Sequence, residues 1–422
     1  MHPVGKSLIQ ILFSRFFDSR SGMVYSYAVP YRDSALPAPQ EVAAGIPSEP
    51  GWGSGIEDCA MNGGILLAAL TDAGEPYAAK QIFAGLRALG TASPERGFIP
   101  RGLLPDRKAY YVNSSVDQHT MFVYGLWRYS RSTLPGQDEL QTIQELVSAV
   151  ALRLEKNGFR ILTEDGRVAI GGDSLDVIAP GKAPRLLSLL LAAHSVTGDA
   201  HWRDVYEEKA SEKNAARLRN FCGLPDAGLP PGWGFYGPEQ MQAQLRILAE
   251  SDWDASRRRL YRDAMKEVAQ RMLTTGFPSQ GHAPAYTQET LAILGGTAYL
   301  ASPFDWNRYS PSILRREEDW GWRADFARDA RRTPGSAWAL RFVLDWMGRR
   351  PAFCHERNCL RFPLTAFHVA LLSGDPELKA RVLPECERMF AEIDFNLCRW
   401  ADALVEAIAL ASLMKQGAME CQ

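Results

Sequence analysis

Two adjacent acidic residues stand out in a glycine-rich stretch near the start of the chain. Glu57 and Asp58 lie in GSGIEDCAMNGG, directly before an apolar run with helical spacing. Carboxylates at a helix start are stabilised by the helix dipole, and many only cap the helix. Here Gly63, Gly64 and the glycines before the pair let the backbone approach another group closely. Trp52 adds a flat face for stacking. The pair is therefore a candidate for catalysis as well as for capping.

A third carboxylate occupies the equivalent place before the next apolar run. Asp117 begins the run in NSSVDQHTMFVYGLWRYS, where Ser115 and Gln118 have the spacing of a capping box. Capping is one interpretation. The other is catalysis. Two carboxylates at neighbouring helix starts would face one cavity at a distance that one water molecule can bridge, which is the arrangement that glycoside hydrolysis requires. His119 is a candidate assistant, although a lone histidine is more often a hydrogen-bonded spectator.

Later loops supply candidate groups for binding a substrate. Asp173 in GGDSLDV could accept hydrogen bonds from sugar hydroxyls, or it could be a solvated turn residue. Trp233 and Tyr236 form an aromatic platform that precedes Gln240, or they pack at a rim. We treat all four residues as candidate binding residues.

Two arginines and two further tryptophans complete the candidate binding set. Arg246 lies on an otherwise apolar helix, where burial is costly unless a substrate carboxylate or the Glu57–Asp58 pair neutralises it. Arg101 in GFIPRGLLPD is a second candidate for a substrate carboxylate. Trp320 and Trp322 lie in an aromatic-rich stretch, about 304–332, that we interpret as an insertion covering the site.

The elements that must position these residues are predicted to be helices. Apolar segments with helical period alternate with more highly charged amphipathic segments. The apolar segments are 65–70, 121–127, 186–193 and 245–248, and the charged ones are 77–89, 140–154, 202–218 and 257–272. A further hairpin and a closing helix are predicted over 362–372, 376–390 and 400–413.

A loop rich in glycine, proline and aromatic residues precedes each apolar segment, at intervals of roughly 50 to 60 residues, as expected of a two-helix repeat with its connections. We therefore predict an all-α fold, an (α/α)6 toroid of six hairpins with its long loops at one end. Apolar helices lie inside, and helix N-termini point into one basin. No linker divides the chain, so we expect one catalytic domain over 1–422.

Composition narrows the partners and the compartment. Lysine plus arginine (47) nearly balances aspartate plus glutamate (49), which argues against a nucleic-acid or membrane partner. Seven cysteines without a CxxC pair favour a reduced, cytoplasmic protein. His282, His355 and His368 have no partner at metal-ligand spacing, and nucleotide fingerprints are missing, so we expect no metal and no cofactor.

The segment SVDQHTMFVYGLWRYS resembles the helix start of unsaturated glucuronyl hydrolases and related six-hairpin glycosidases. The resemblance implies that Asp117 is the general acid and base and that Asp58, on the preceding hairpin, supports it. Glu57 and His119 depart from the family pattern. A β-glucuronidase on the same scaffold would use a pair of carboxylates for ordinary hydrolysis.

The prediction from these residues is an exo-acting glycoside hydrolase that removes a terminal uronic acid from an oligosaccharide. A sugar epimerase is an alternative that would need a histidine pair, for which the chain offers His119 with His282. A polysaccharide lyase would need a tyrosine or histidine base beside an arginine, and Tyr110, Tyr111, His119 and Tyr236 are available. The expected partner is a carbohydrate, and a homo-oligomer is compatible with the sequence.

Overall fold

The protein is almost entirely helical. The computed structural model describes residues 3–26, 36–46, 49–51, 54–169, 174–179, 181–220, 236–274, 362–392, 395–398 and 401–414. Of these residues, 68% are helical and 3% are in strands, which confirms the predicted all-α class. The described part contains one short antiparallel pair, β1 (Phe17–Asp18) with β2 (Met23–Val24).

The helices follow the predicted segments. The thirteen described α-helices are α1 (Pro3–Arg15), α2 (Pro39–Ala43), α3 (Cys59–Ala73), α4 (Pro76–Gly90), α5 (Val116–Ser130), α6 (Gln137–Lys156), α7 (Pro184–Thr197), α8 (Ala200–Arg219), α9 (Tyr236–Ser251), α10 (Ala255–Thr274), α11 (Phe362–Leu372), α12 (Pro376–Glu392) and α13 (Ala401–Met414). A 3-10 turn (Phe395–Leu397) precedes α13. Each of the eight alternating segments predicted to be helical lies within one of them, but the segment 202–218 in α8 is interrupted at 212–215, where the backbone is not helical.

The helices divide into an inner and an outer set. In the inner set, residues 59–71 of α3 and every residue of α13 are buried. In the outer set, α6 buries a single stripe that includes Ile143, Val147 and Val150. The inner helices contact one another in the order α3, α5, α7, α9, α11, α13, and α13 then contacts α3. The outer helices α1, α4, α6, α8, α10 and α12 pack against α13, α3, α5, α7, α9 and α11 respectively.

The two inner helices that carry the predicted acids pack with their backbones in contact. A Cβ atom placed on Gly64 would lie 2.0 Å from the carbonyl oxygen of Met121, and one on Gly125 would lie 2.5 Å from the carbonyl oxygen of Gly64. Only glycine permits this approach of α3 to α5. The group that Gly64 approaches closely, as the sequence predicted, is therefore the backbone of a neighbouring helix.

The remaining parts of the prediction concern other regions of the chain. The aromatic-rich stretch predicted over 304–332 lies outside the described residues. Of the helices that the structure describes, none is long and apolar enough to cross a membrane.

Candidate functional site

Asp58 lies at the N-terminal end of α3, in the N-cap position, but its side chain makes no capping hydrogen bond. Its Oδ1 instead accepts a hydrogen bond of 3.0 Å from the Gln118 side chain and lies 3.7 Å from Nη1 of Arg101. The side chain of Asp58 is 21% exposed, so it is surrounded by protein but within reach of solvent. The capping interpretation of this residue does not account for its contacts.

The environment of Asp58 favours its protonated form. Burial, which has the largest effect, and the negative charges of Asp402 and Asp117 together raise the pKa of the carboxyl from 3.8 to about 7. The positive charge of Arg101 lowers it, without cancelling those effects. A carboxylic acid with this pKa holds its proton for a large part of the time near neutral pH, as a general acid must.

Gln118 joins the starts of α3 and α5. Its Oε1 accepts a hydrogen bond of 3.0 Å from the Met61 backbone N–H, and its Nε2 donates to Asp58 and to the Glu57 carbonyl oxygen. The side chain is fully buried. The predicted capping box is wrong, because Ser115 makes no capping hydrogen bond with its side chain and Gln118 bonds to the neighbouring helix.

Asp117 lies in the first turn of α5 and is half-buried. Its Oδ1 accepts hydrogen bonds from the Ser115 hydroxyl and from the Gln118 backbone N–H, the latter at 3.1 Å. No hydrogen bond to Oδ2 comes from the described residues. This geometry holds the carboxylate at the helix start while one oxygen stays available.

Glu57 and Arg101 support the loop around Asp58. Oε2 of Glu57 accepts hydrogen bonds from the Gly55 backbone N–H at 2.5 Å and from the Ser54 hydroxyl at 3.4 Å. Arg101 is only 3% exposed and donates from Nη1 to the Glu57 carbonyl oxygen at 3.3 Å. Glu57 therefore stabilises its own turn, and Arg101 supplies the positive charge next to Asp58.

Asp402, in the first turn of α13, is a third carboxylate that the sequence analysis did not single out. It is 4% exposed, and its Oδ1 accepts a hydrogen bond of 2.8 Å from the Asn62 side chain on α3. We call Asp58, Asp117 and Asp402 the acid cluster. The signal in the sequence was two acids, Asp402 and Glu406, four positions apart on an apolar helix, which places them on one face.

His119 lies about 200° around α5 from Asp117, since each residue of a helix advances 100°. Its Nδ1 is 3.0 Å from the Ser115 carbonyl oxygen and 3.3 Å from the Ser114 hydroxyl, and its ring meets Phe98 edge to face. Burial lowers the pKa of His119 to about 4. These contacts fit a hydrogen-bonded spectator, and we assign His119 no part in the chemistry below.

A second group of side chains converges from α9, α11 and α13. Glu239, His368 and Glu406 are all buried, and one ligand atom from each lies within 4.8 Å of the others. Nδ1 of His368 is 3.1 Å from Oε2 of Glu406. Burial lowers the pKa of His368 to about 4, so its imidazole is neutral at neutral pH. We call this group the Glu–His–Glu cluster; its residue types are those that bind divalent metal ions.

Arg246 has a different partner from the one that the sequence suggested. Its guanidinium makes a two-pronged ion pair with Asp72 at 2.7 and 3.0 Å, and it also bonds Glu250 and the Tyr124 hydroxyl. Its expected pairing with Glu57 or Asp58 is therefore wrong. The physical reason is that Asp72, near the C-terminal end of α3, lies beside Arg246, whereas Glu57 and Asp58 lie at the opposite end of that helix.

The other predicted binding residues have the following places. Gln240 is buried in α9, and Tyr236 is the first residue of that helix. Five predicted binding residues lie outside the described residues, namely Trp52, Asp173, Trp233, Trp320 and Trp322. The structure brings together Asp58, Asp117, Glu57 and Arg101.

At the starts of α3, α5 and α13, the site can keep Asp58 protonated near the negative charges of Asp117 and Asp402. Neither the protein-family models nor the curated proteins and solved structures with which we compared the chain give a match. The interpretation of the site therefore depends on its own geometry.

Proposed function

We propose that this protein is a glycoside hydrolase whose reaction takes place at the acid cluster. The observation that carries the proposal is the state of Asp58. This carboxyl is partly accessible, and burial together with two neighbouring carboxylates raises its pKa to about 7. Glycosidases need one carboxylic acid to protonate the leaving oxygen and a second carboxylate to assist attack at the anomeric carbon.

We assign the proton donor to Asp58 and the second carboxylate to Asp117. These roles are the reverse of those predicted from the sequence, in which Asp117 was the proton donor. The donor role suits Asp58 because burial and neighbouring negative charges destabilise its ionised form. Asp117 favours the other role because it is half-buried at a helix start, accepts hydrogen bonds at Oδ1 and keeps Oδ2 for water or substrate.

The third carboxylate has a supporting role in this proposal. Asp402 is held by Asn62 and contributes the largest of the neighbouring charges that raise the pKa of Asp58. Gln118 fixes the orientation of the acid by donating to Oδ1. Both residues therefore position and tune Asp58.

A terminal uronic acid is the substrate class that we propose. Arg101 supplies a buried positive charge beside Asp58, and a guanidinium is suited to a carboxylate group on the sugar. The reaction would be exo-acting, with the glycosidic oxygen at Asp58 and the uronate on the side of Arg101.

The proposed scaffold is an (α/α)6 toroid. The unbroken series of contacts through six inner helices, which returns from α13 to α3, supports it, as does the packing of one outer helix against each inner one. In such a ring the starts of α13, α3 and α5 are neighbours, which agrees with the effect of the charges of Asp402 and Asp117 on Asp58.

The test uses a panel of aryl glycosides, with glucuronides first, and follows release of the phenol. Asp58→Asn and Asp117→Asn should each lower kcat by at least ~10²-fold, the usual contribution of general acid or base catalysis. Asp204→Asn, at an exposed position on α8, is the matched control and should retain full activity.

Product analysis separates this reaction from its alternatives. Hydrolysis in heavy-oxygen water adds one labelled oxygen to the sugar. A product with an ultraviolet-absorbing double bond would indicate a lyase, and a product of unchanged mass would indicate an epimerase. Either product, or wild-type turnover in both acid variants, would overturn the proposal.

A further inference from the structure

The Glu–His–Glu cluster is assembled by the fold from three separate helices. Glu239 is in the first turn of α9, His368 is in α11 and Glu406 is in α13, and these helices are consecutive members of the inner series. The exposed fractions of the residues are 3%, 7% and 0%. Three ionisable side chains that share one small interior volume carry a large desolvation cost unless something compensates them.

The donor set and its dimensions suit one metal ion. Carboxylate oxygens and imidazole nitrogens bind first-row transition metals at about 2.0–2.2 Å, so donors on opposite sides of an ion are about 4.4 Å apart. Only one pair among three donors can lie on opposite sides of an ion, and adjacent donors are about 3.0–3.4 Å apart. His368 and Glu406 meet that separation at 3.1 Å, and the three donor atoms all lie within 4.8 Å of one another. Small rotations of the side chains would bring all three atoms onto one ion.

Two further buried oxygens lie about one helical turn, along α11 or through a contact with α13, from members of this cluster. Oγ1 of Thr365 is fully buried, one helical turn before His368 on α11, and no described group hydrogen-bonds to it. Oδ1 of Asn62 is also fully buried and has no partner among the described residues, while its amide nitrogen bonds Asp402, one turn before Glu406. Buried oxygens of this kind are normally satisfied, and water molecules bound to an ion would satisfy them.

We propose that Glu239, His368 and Glu406 bind one divalent first-row transition-metal ion, of the class of Mn²⁺, Co²⁺ and Zn²⁺. Two carboxylates and one imidazole are donors that these ions accept readily. Three protein ligands leave coordination positions for water or for a sugar hydroxyl. Four residues of helix rise by about 6 Å, so the ion lies about 6 Å along α13 from Asp402 of the acid cluster.

The proposal is independent of the hydrolytic reaction. Its alternative is a metal-free network in which Glu406 accepts a hydrogen bond from His368, at the observed 3.1 Å. The two differ in whether the protein takes up an ion at a stoichiometry of one per chain. That quantity can be measured whether or not a substrate is known.

The experiment begins with full-length protein stripped by a chelator and dialysed against Mn²⁺, Co²⁺ or Zn²⁺ in turn, followed by metal analysis. One bound ion per chain and a raised thermal midpoint are expected for the wild type. His368→Gln and Glu406→Gln should lose the stoichiometric ion and the rise in midpoint. His201→Gln is the matched control, because His201 also contacts a carboxylate, Glu155, at 2.8 Å, but at the surface.

Circular dichroism identifies variants that do not fold. If both variants fail, the wild type loaded with Cu²⁺ still decides, because pulsed electron paramagnetic resonance should detect one coordinated imidazole. Wild-type protein that binds no ion at micromolar concentrations would overturn the proposal. So would folded His368→Gln protein that binds the ion as the wild type does, or bound Cu²⁺ that shows no imidazole.

Discussion

Replacing Asp58 by asparagine should make the protein more stable at alkaline pH. The ionised carboxylate is disfavoured in the folded protein, where burial and the charges of Asp402 and Asp117 raise its pKa to about 7 from 3.8. A group whose pKa is raised by folding binds more protons in the folded state. Stability therefore falls as the pH rises from about 4 to about 7. Asparagine cannot ionise, and its amide oxygen can still accept the hydrogen bond from Gln118.

The magnitude follows from the size of this pKa change. One pKa unit corresponds to about 1.4 kcal/mol, so full ionisation of Asp58 in the folded protein costs about 4 kcal/mol. Most of the range between pH 5 and pH 8 lies within the titration. The difference in unfolding free energy between the variant and the wild type should therefore grow by about 2–3 kcal/mol over that range, in favour of the variant.

The assay is urea denaturation of both proteins at pH 5 and pH 8, with the free energy of unfolding extrapolated to water. Asp204→Asn is the control, since its exposed side chain on α8 should give the same difference from wild type at both pH values. A difference between Asp58→Asn and wild type that stays constant from pH 5 to pH 8 would refute the reasoning, because Asp58 would then titrate alike in both states.

Two further predictions concern the tuning of the acid and the packing that places it. Asp402→Asn removes a negative charge that raises the pKa of Asp58. The alkaline limb of the plot of kcat/KM against pH should therefore move to lower pH, and a limb that does not move would contradict this prediction. Gly125→Ala puts a Cβ atom 2.5 Å from a backbone oxygen of α3, where no side-chain rotation relieves it, and should cost about 1–3 kcal/mol of unfolding free energy in urea. Gly136→Ala, where a Cβ atom meets nothing within 4 Å, is the control, and equal losses in the two variants would refute the packing argument.

The helices could be predicted from the sequence because the spacing of apolar residues within each segment shows that it is helical and buried. Residues 65–70 and 121–127 repeat apolar side chains at helical spacing, and both lie in inner helices. The placement of Asp58 and Asp117 at neighbouring helix starts could be predicted for the same reason, since each lies between a loop of glycine, serine or aromatic residues and an apolar run. These are properties of a segment and its immediate neighbours.

The contacts between distant segments could not be predicted in this way. Asp402 is 340 positions from Asn62, and no local pattern shows that their side chains meet. His368 has no metal-ligand partner nearby in the chain, because Glu239 and Glu406 come from two other helices. Arg246 needed a counter-ion, but only the fold identifies Asp72. A buried charge on an apolar helix predicts that a partner exists without saying which one.

The distribution of charge inside the protein is the reason why we propose a reaction at the helix starts. At the C-terminal end of α3, Asp72 is neutralised by Arg246 and Arg128, with contacts of 2.7 Å to each, and its pKa stays low despite the burial of its side chain. At the start of the same helix, Asp58 lies among other carboxylates with Arg101 at 3.7 Å. Only the second environment stabilises the binding of a proton or an added cation by a carboxylate. Since a protonated acid can give its proton away and an ion-paired one cannot, the helix starts are where proton transfer can occur.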